Sequence, residues 1–351
     1  MNTPLHQIRC TGTPRECGQA HGETLRMLIQ ATLERWRATR IRLNWPDPQA
    51  YIHTFLQQTS YVDAMARWTP ELLDELHGIA AGAAVPFADL LAYNLLDEEW
   101  WFSGSHSGNA PGCTVIGVFP SERSAPILAQ TMDIGTIYDG AQTVLHLISD
   151  DRPEALIFTY AGMIGLNGCN AHGIGVVVNN LAVLPHAVHG LPVAAVMRGI
   201  LAQHTLADAS RFVGSVPHAS GQHYAVGSPA GLLSFECSAD GVVQDTDFSD
   251  YLLHTNHPLA NIERPLSWQP HDTPNSCARY DFIAAHASTI ATQSDVEAIL
   301  SDQTIPISMA PKPGRIFTFG ATSMLLSVPP RMRVTPGPPH NTPFVELRFG
   351  G

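Results

Sequence analysis

Many familiar chemical signatures are missing from this sequence. No two of its six cysteines form a CxxC pair, so neither a zinc knuckle nor a redox dithiol has support. No HExxH occurs, and neither does a Walker loop or a GxGxxG fingerprint, so a zincin site and nucleotide cofactors are not expected. Charged residues make up only 14% of the chain, and Lys and Arg form no runs. No apolar stretch approaches the length that spans a bilayer; Ile174 to Val178 is typical of the longest. Met1 to Arg9 is polar, with Pro4, His6 and Arg9, and lacks the apolar centre of a signal peptide. The last residues, Arg348 to Gly351, are no peroxisomal address. The expectation is a soluble, cytoplasmic protein with no cofactor.

What is present favours a packed fold. Hydrophobic residues make up 44% of 351, enough for a large core and too many for general disorder. The net charge of -12 repels phosphate backbones and anionic headgroups, so neither nucleic acid nor a membrane is an expected partner. Five cysteines, Cys10, Cys17, Cys169, Cys237 and Cys277, read as small buried hydrophobes. Cys113 reads differently because of its neighbours.

Periodicity divides the chain. Glu16 to Arg40 spaces Leu25, Leu28, Ile29, Leu33 and Trp36 as one helix. A second helix starts after Thr69, with Pro70 at its first position, and a third runs from Phe87 through Leu96. Ser103 to Pro111 has the small polar residues of an exposed loop. A series of short strands follows it. They cover residues 8–10, 112–118, 127–130, 143–148, 155–160, 175–178, 222–226, 232–236, 251–255, 315–319, 324–327 and 344–349. Helices are expected over residues 192–202 and 275–291, and after Ser294, capped by Glu297 at N3. Helices first and strands afterwards indicate an α+β fold with a layered core.

A cysteine that opens a strand just after a glycine in a loop suits one particular reaction. Its thiol can attack the carbonyl before it, and hydrolysis of the resulting ester frees an N-terminal Cys. Gly112 permits the backbone this attack requires. The freed α-amine has an unperturbed pKa of about 7.7–8.0, so it can act as base to its own thiol.

The surrounding blocks carry a family pattern. GTPRECGQAHGE (Gly12 to Glu23), ELLDELHGIAAGAAVPFADLLAYNL (Glu71 to Leu95) and GCTVIG (Gly112 to Gly117) come first. AQTMDI (Ala129 to Ile134), GMIGLNGCNAHGIGVVVNNL (Gly162 to Leu181) and HTNH (His254 to His257) follow in order. With these blocks the chain resembles the isopenicillin N acyltransferase-like group of N-terminal-nucleophile hydrolases, from near residue 8 to near residue 349. The resemblance implies a four-layer αββα sandwich made as one domain, residues 1–351. It also implies a cut between Gly112 and Cys113 into a helical fragment, 1–112, and a catalytic fragment, 113–351, that stay associated.

The resemblance puts Cys113 at the nucleophile, Asp133 in the acidic block and Asn256 at the oxyanion. Asp133 can orient the α-ammonium of Cys113, and Asn256 can donate to the tetrahedral oxyanion. A backbone N–H near Asn170 is the expected second donor. The family places an arginine late in the chain. Arg315, opening a strand after Lys312-Pro313-Gly314, is the first choice, and Arg279 in NSCARYDF is the alternative. Thr131 and Met132 stand where the family commonly carries Asn and an aromatic, so substrate contacts differ there.

The leading function is a cysteine amidohydrolase whose partner is a small-molecule or peptide-like amide. The alternatives are an acyltransferase that passes the acyl group to an amine, and a non-catalytic relative that only binds. Nothing marks a coenzyme A site. A metal hydrolase gains no support from the 17 histidines, since a strand sends the side chains of His254 and His257 to opposite faces.

Overall fold

The computed structural model describes residues 4–42, 45, 47–104, 112–121, 124–247, 250–261, 269 and 272–350. Beyond Gly104, the loop expected up to Pro111 lies outside the described residues.

Strand β1 (His6–Thr11) opens the chain. A capping box starts helix α1 (Pro14–Thr24): the Thr13 hydroxyl accepts the Glu16 N–H, and the Glu16 carboxylate accepts the Thr13 N–H. The helix expected over 16–40 is two, because α1 ends at Leu25 and α2 (Arg26–Arg42) resumes after it. Two short helices that the sequence reading passed over follow, α3 (Pro48–Gln57) and α4 (Tyr61–Trp68). Then come α5 (Pro70–Ala83), α6 (Phe87–Asn94) and α7 (Leu96–Phe102). Thr69 does precede α5, but its hydroxyl makes no capping bond. Helices α1 and α5 cross backbone to backbone. A Cβ on Gly18 would lie 2.0 Å from the Glu75 carbonyl oxygen, and one on Gly78 would lie 2.2 Å from that of Arg15. Gly18, Gly22, Gly78 and Gly82 of the blocks at 12–23 and 71–95 stand at this crossing.

Strands dominate the rest. They are β2 (Thr114–Val118), β3 (Ile127–Gly135), β4 (Gln142–Ile148), β5 (Ala155–Tyr160), β6 (Asn167–Asn170) and β7 (Gly175–Asn180). After the helices α8 (Val193–Leu201) and α9 (Leu206–Ser215) come β8 (Gln222–Ser228), β9 (Gly231–Ser238), β10 (Gly241–Asp245) and β11 (Tyr251–His254). Helices α10 (Pro274–His286) and α11 (Gln293–Leu300) precede β12 (Ile316–Leu325), β13 (Arg331–Val334) and β14 (Val345–Leu347). The two strands expected at 315–319 and 324–327 are one, β12. Strands β6, β10 and β13 escaped the sequence reading. The cap of α11 is Thr292 paired with Asp295, not Ser294 with Glu297.

The strands form two sheets, one ordered β1-β4-β5-β6-β7-β8-β9-β10 and the other β11-β2-β3-β12-β13-β14. Alternation along β2 reveals the layering. Val115 joins the large core shared with Val176 and Val226 of the first sheet. Ile116 points the other way, into a cluster with Ile283, Val296 and Leu300 of α10 and α11. Helices α8 and α9 cover the first sheet as α10 and α11 cover the second. Polar ties cross between the sheets: Gln130 Nε2 donates to the Val178 carbonyl, and the Thr322 hydroxyl to Asn167 Oδ1 at 3.0 Å. The fold is therefore α+β with four layers, αββα.

Candidate active site

Cys113 stands just ahead of β2, at the end of the sandwich where the second sheet meets α7 and α10. Alternation puts its side chain on the same face as Val115, between the sheets. The thiol Sγ accepts the Asp133 N–H at 3.4 Å and donates toward Met132 Sδ at 3.9 Å. Only 7% of Cys113 is exposed. Burial, helped by the Asp133 charge, pushes the thiol up to about 12, so it is neutral in the uncut chain at pH 7.

Asp133 follows Met132 on β3. Burial pushes its carboxyl up to about 7, against the pull of the Arg279 guanidinium. Both carboxylate oxygens are buried with no hydrogen-bond partner. Thr318, opposite it across the sheet, lies close enough to pull the pKa down slightly. Its hydroxyl is already engaged, donating to the Ile307 carbonyl at 3.3 Å and accepting the Met309 N–H at 2.9 Å. A buried carboxylate left this way in a native fold calls for a reason.

Arg279 comes from α10 and is wholly buried. Its guanidinium donates to the Cys113 carbonyl at 2.6 Å, the Thr114 hydroxyl at 3.0 Å and Asn256 Oδ1 at 3.0 Å. Its Nε holds Asn275 Oδ1 at 2.8 Å. This corrects the choice of arginine. Arg315 is exposed, and its backbone carbonyl accepts the Thr136 N–H at the start of β12. A residue in the turn after Gly314 faces solvent, whereas one on the inner side of α10 faces the second sheet.

Asn256 follows β11. Its Nδ2 donates to the Asn180 carbonyl at 3.0 Å, and its backbone N–H goes to the Ser276 hydroxyl at 2.7 Å. Glu236 anchors the loop beyond it by accepting the N–H groups of Leu259, Ala260 and Asn261, and His254 Nε2 lies 3.0 Å from the same carboxylate. Asn256 lies so close to Gly112 that a Cβ there would stand 2.2 Å from Asn256 Oδ1. Gly112→Ala is therefore expected to push the Asn256 amide off its two partners and to slow any cut after residue 112 by at least about tenfold, as a misplacement near 1 Å can. A time course of the uncut chain by denaturing mass spectrometry measures this; a cut as fast as the parent's would mean that Asn256 has no part in it.

Three other expected residues lie differently. Asn170 is not at the site. Its Nδ2 donates to the Leu201 and Gln203 carbonyls at 2.8 Å each, and its Oδ1 accepts the N–H groups of His172 and Ile174. Its own N–H is spent on the Ile174 carbonyl, so it shapes the β6–β7 turn and offers no free donor. Thr131 points away from the cavity and accepts the Thr114 N–H at 3.2 Å. Met132 does touch the thiol. Two residues that the sequence reading did not single out line the site instead: Asn180, whose Nδ2 has no hydrogen-bond partner, and Asp97 at the start of α7. Asn180 closes a block already noticed, at 162–181; Asp97 had no local signal.

Cys113, Asp133, Asn180 and Asn256 open onto a cavity of about 250 Å³ whose other walls include Trp36, Trp100, Ile137 and Tyr138. A smaller space of about 70 Å³ joins it beyond Cys113, walled by Met132, Val178 and Met197. Among the described residues no group of three or more His, Cys, Asp or Glu side chains is placed to hold a metal. No helix among them is long and apolar enough to cross a membrane.

A family model described as acyl-coenzyme A:6-aminopenicillanic acid acyl-transferase matches residues 121–313, more than half of the chain. That span holds Asp133, Asn180, Asn256 and Arg279 and begins just after β2. Among solved structures, a mutant of the conjugated bile acid hydrolase from Clostridium perfringens is similar at 11% identity and a TM-score of 0.44, over 67% of this chain and 92% of that one. Penicillin V acylase from Agrobacterium tumefaciens is similar at 13% identity and a TM-score of 0.45, over 66% of this chain and 86% of that one. Likeness at this level leaves the fold to be read from the two sheets themselves.

Proposed function

Since the chain belongs to the acyl-coenzyme A:6-aminopenicillanic acid acyl-transferase family, we propose that it is an amide-cleaving enzyme that cuts itself before Cys113 and then uses Cys113 as nucleophile. One observation carries the reading: a buried thiol beside a carboxylate with both oxygens unpartnered. In the uncut chain that carboxylate has no hydrogen-bond donor. A cut after Gly112 creates one, because the new α-ammonium of Cys113 arises next to Asp133.

The steps balance without a co-reactant other than water. The Cys113 sulfur attacks the Gly112 carbonyl carbon as its proton leaves. The C–N bond then breaks, and the nitrogen of Cys113 takes up a proton. Water hydrolyses the thioester to a Gly112 carboxylate and a free thiol. In turnover the same thiol attacks a substrate amide, the amine departs protonated, and water resolves the acyl-enzyme. Asp133 holds the α-amine as base to the thiol. The second N–H of Asn256 Nδ2 and the side-chain N–H2 of Asn180, which also lies near Asp97, are the donors for the oxyanion. Arg279 fixes the Asn256 amide by its oxygen, which holds that amide against Gly112.

The fragments 1–112 and 113–351 are expected to remain one folded unit. Strand β1 of the first pairs with β4 of the second, and Glu75 of α5 forms a buried two-point ion pair with Arg198 of α8 at 2.8 and 2.6 Å. Transfer of the acyl group to an amine is the second reading, favoured by the family's description. It uses the same residues and differs only in what resolves the thioester.

Denaturing mass spectrometry of the purified protein tests the reading and should return fragments 1–112 and 113–351. A permanently intact chain, or a cut elsewhere, would sink it. Asn256→Ala should slow amide turnover by about 10²–10³ with little change in substrate binding, since the donor meets a full charge only in the transition state. A full kcat in that variant would remove Asn256 from the oxyanion site.

A further inference from the structure

One carboxylate on the cavity wall has no part in the chemistry above. Asp97 lines both the large cavity and the smaller space, together with Cys113, Asp133 and Asn180. It is partly exposed and lines that cavity. Its Oδ2 accepts a hydrogen bond from Gln222 Nε2 at 2.7 Å, and the Asn180 amide also lies near the carboxylate. Gln222 is in turn tied to Ser220, so the carboxylate sits on a fixed support.

The other acidic groups at this cavity have cations. Glu99 is ion-paired with Arg40 and also accepts from the Tyr51 hydroxyl. Asp133 faces Arg279 and gains the α-ammonium when the chain is cut. Asp97 has no such cation: burial pushes its carboxyl up, the Asn180 and Gln222 amides pull against that, and its charge also bears on the adjoining Glu98. An ionised carboxylate facing a largely apolar space is costly unless a positive charge meets it. Arg40, the cation among the described residues lining this cavity, is held by Glu99, and no group of three His, Cys, Asp or Glu side chains among them could hold a metal. Trp36, Trp100 and Tyr138 also line the cavity, and aromatic rings favour an organic cation that reaches their faces.

We propose that Asp97 is a specificity site for a substrate ammonium group, so that the enzyme prefers amides whose acyl part ends in a primary amine. This rests on the amide-cleaving reading of Cys113. Because Asp97 and Cys113 line the same cavity, a short aliphatic chain separates the ammonium from the carbonyl under attack. Asp97 belongs to the fragment before the cut and Cys113 to the one after it, so recognition and chemistry come from the two sides of the cleaved bond.

The test compares matched p-nitroanilides: β-aminopropanoyl against butanoyl, and γ-aminobutanoyl against pentanoyl, so that ammonium replaces methyl. The processed wild type should favour the ammonium member in kcat/KM by about 10–100-fold, the range for a hydrogen bond to a charged group. Asp97→Asn should bring that ratio close to one. An unchanged ratio in Asp97→Asn, as expected if Asp97 held the α-ammonium of Cys113 instead, overturns the proposal, as does a wild type indifferent to the ammonium. A second arm does not depend on turnover. Calorimetric titration with propylammonium should show binding to the wild type that is weakened at least tenfold in Asp97→Asn. If every anilide is inert, the amide-cleaving reading fails, and the titration still decides for or against the subsite.

Discussion

Cys113→Ala is expected to yield a single uncut chain of 351 residues and to lower amide turnover by about 10⁴-fold or more, the scale seen when a nucleophile is removed and the binding site remains. The variant should fold. Cys113 contributes one weak sulfur contact to Met132 and accepts one N–H, and alanine fits the same space on the inner face of the second sheet. Two readouts therefore move together for one reason, since the same sulfur attacks Gly112 once and substrate many times. Cys113→Ser separates them. Its hydroxyl can still attack but ionises far less readily than a thiol, so slow processing is expected with little turnover. Mass spectrometry and a substrate assay on the two variants make the check. If the alanine variant were still cut after residue 112, some other group would be the nucleophile.

The second large effect belongs to Arg279. Arg279→Met keeps much of the volume and removes the guanidinium. The Cys113 carbonyl, Asn256 Oδ1 and Asn275 Oδ1 then lose their donor inside the protein. A loss of about 3–5 kcal/mol is expected, as for breaking one side of a buried charged cluster. Chemical denaturation of the variant and its parent, both in the Cys113→Ala background to hold the covalent state constant, measures it. Processing should suffer as well. Asp133, already raised to about 7, loses the cation that pulls it down, so its carboxyl stays neutral to higher pH. The pH at which the cut becomes fast should therefore move up. Arg279→Lys retains the charge without the planar fork and should recover part of the stability. An Arg279→Met variant as stable and as quickly processed as its parent would show that the cluster is incidental. The parallel change at Arg315, which is exposed, should alter neither readout.

The site was legible where chemistry is local. Gly112 before Cys113 marks the proposed self-cutting thiol, because the attack proposed involves adjacent atoms. Asp133 and Asn256 enter as candidates through ordered blocks along the chain, and both line the cavity at Cys113. Asn170 was misplaced because a turn-forming Asn and a catalytic one look alike in sequence. The residue that donates at a turn is told apart only by where its four hydrogen bonds go. The choice of Arg315 failed for a similar reason. A strand start is visible in sequence, but the face of a helix that meets the second sheet is visible only after packing. Asp97 had no signal at all, because its meaning lies in what surrounds it.

The sequence by itself determined the α+β order, most of the strands and the helices that follow Thr69 and Pro86, and it marked Cys113 as the candidate thiol. Each follows from contacts within a few residues: alternation, helical spacing, a proline at a helix start, a glycine next to a cysteine. Tertiary structure alone decided which arginine is buried against Cys113, which asparagine lends its amide to the cavity, and that a carboxylate from α7 faces the thiol without a cation. Those assignments depend on groups far apart in the chain, whose charge and hydrogen-bonding needs are set only when the two sheets and their covering helices close around them.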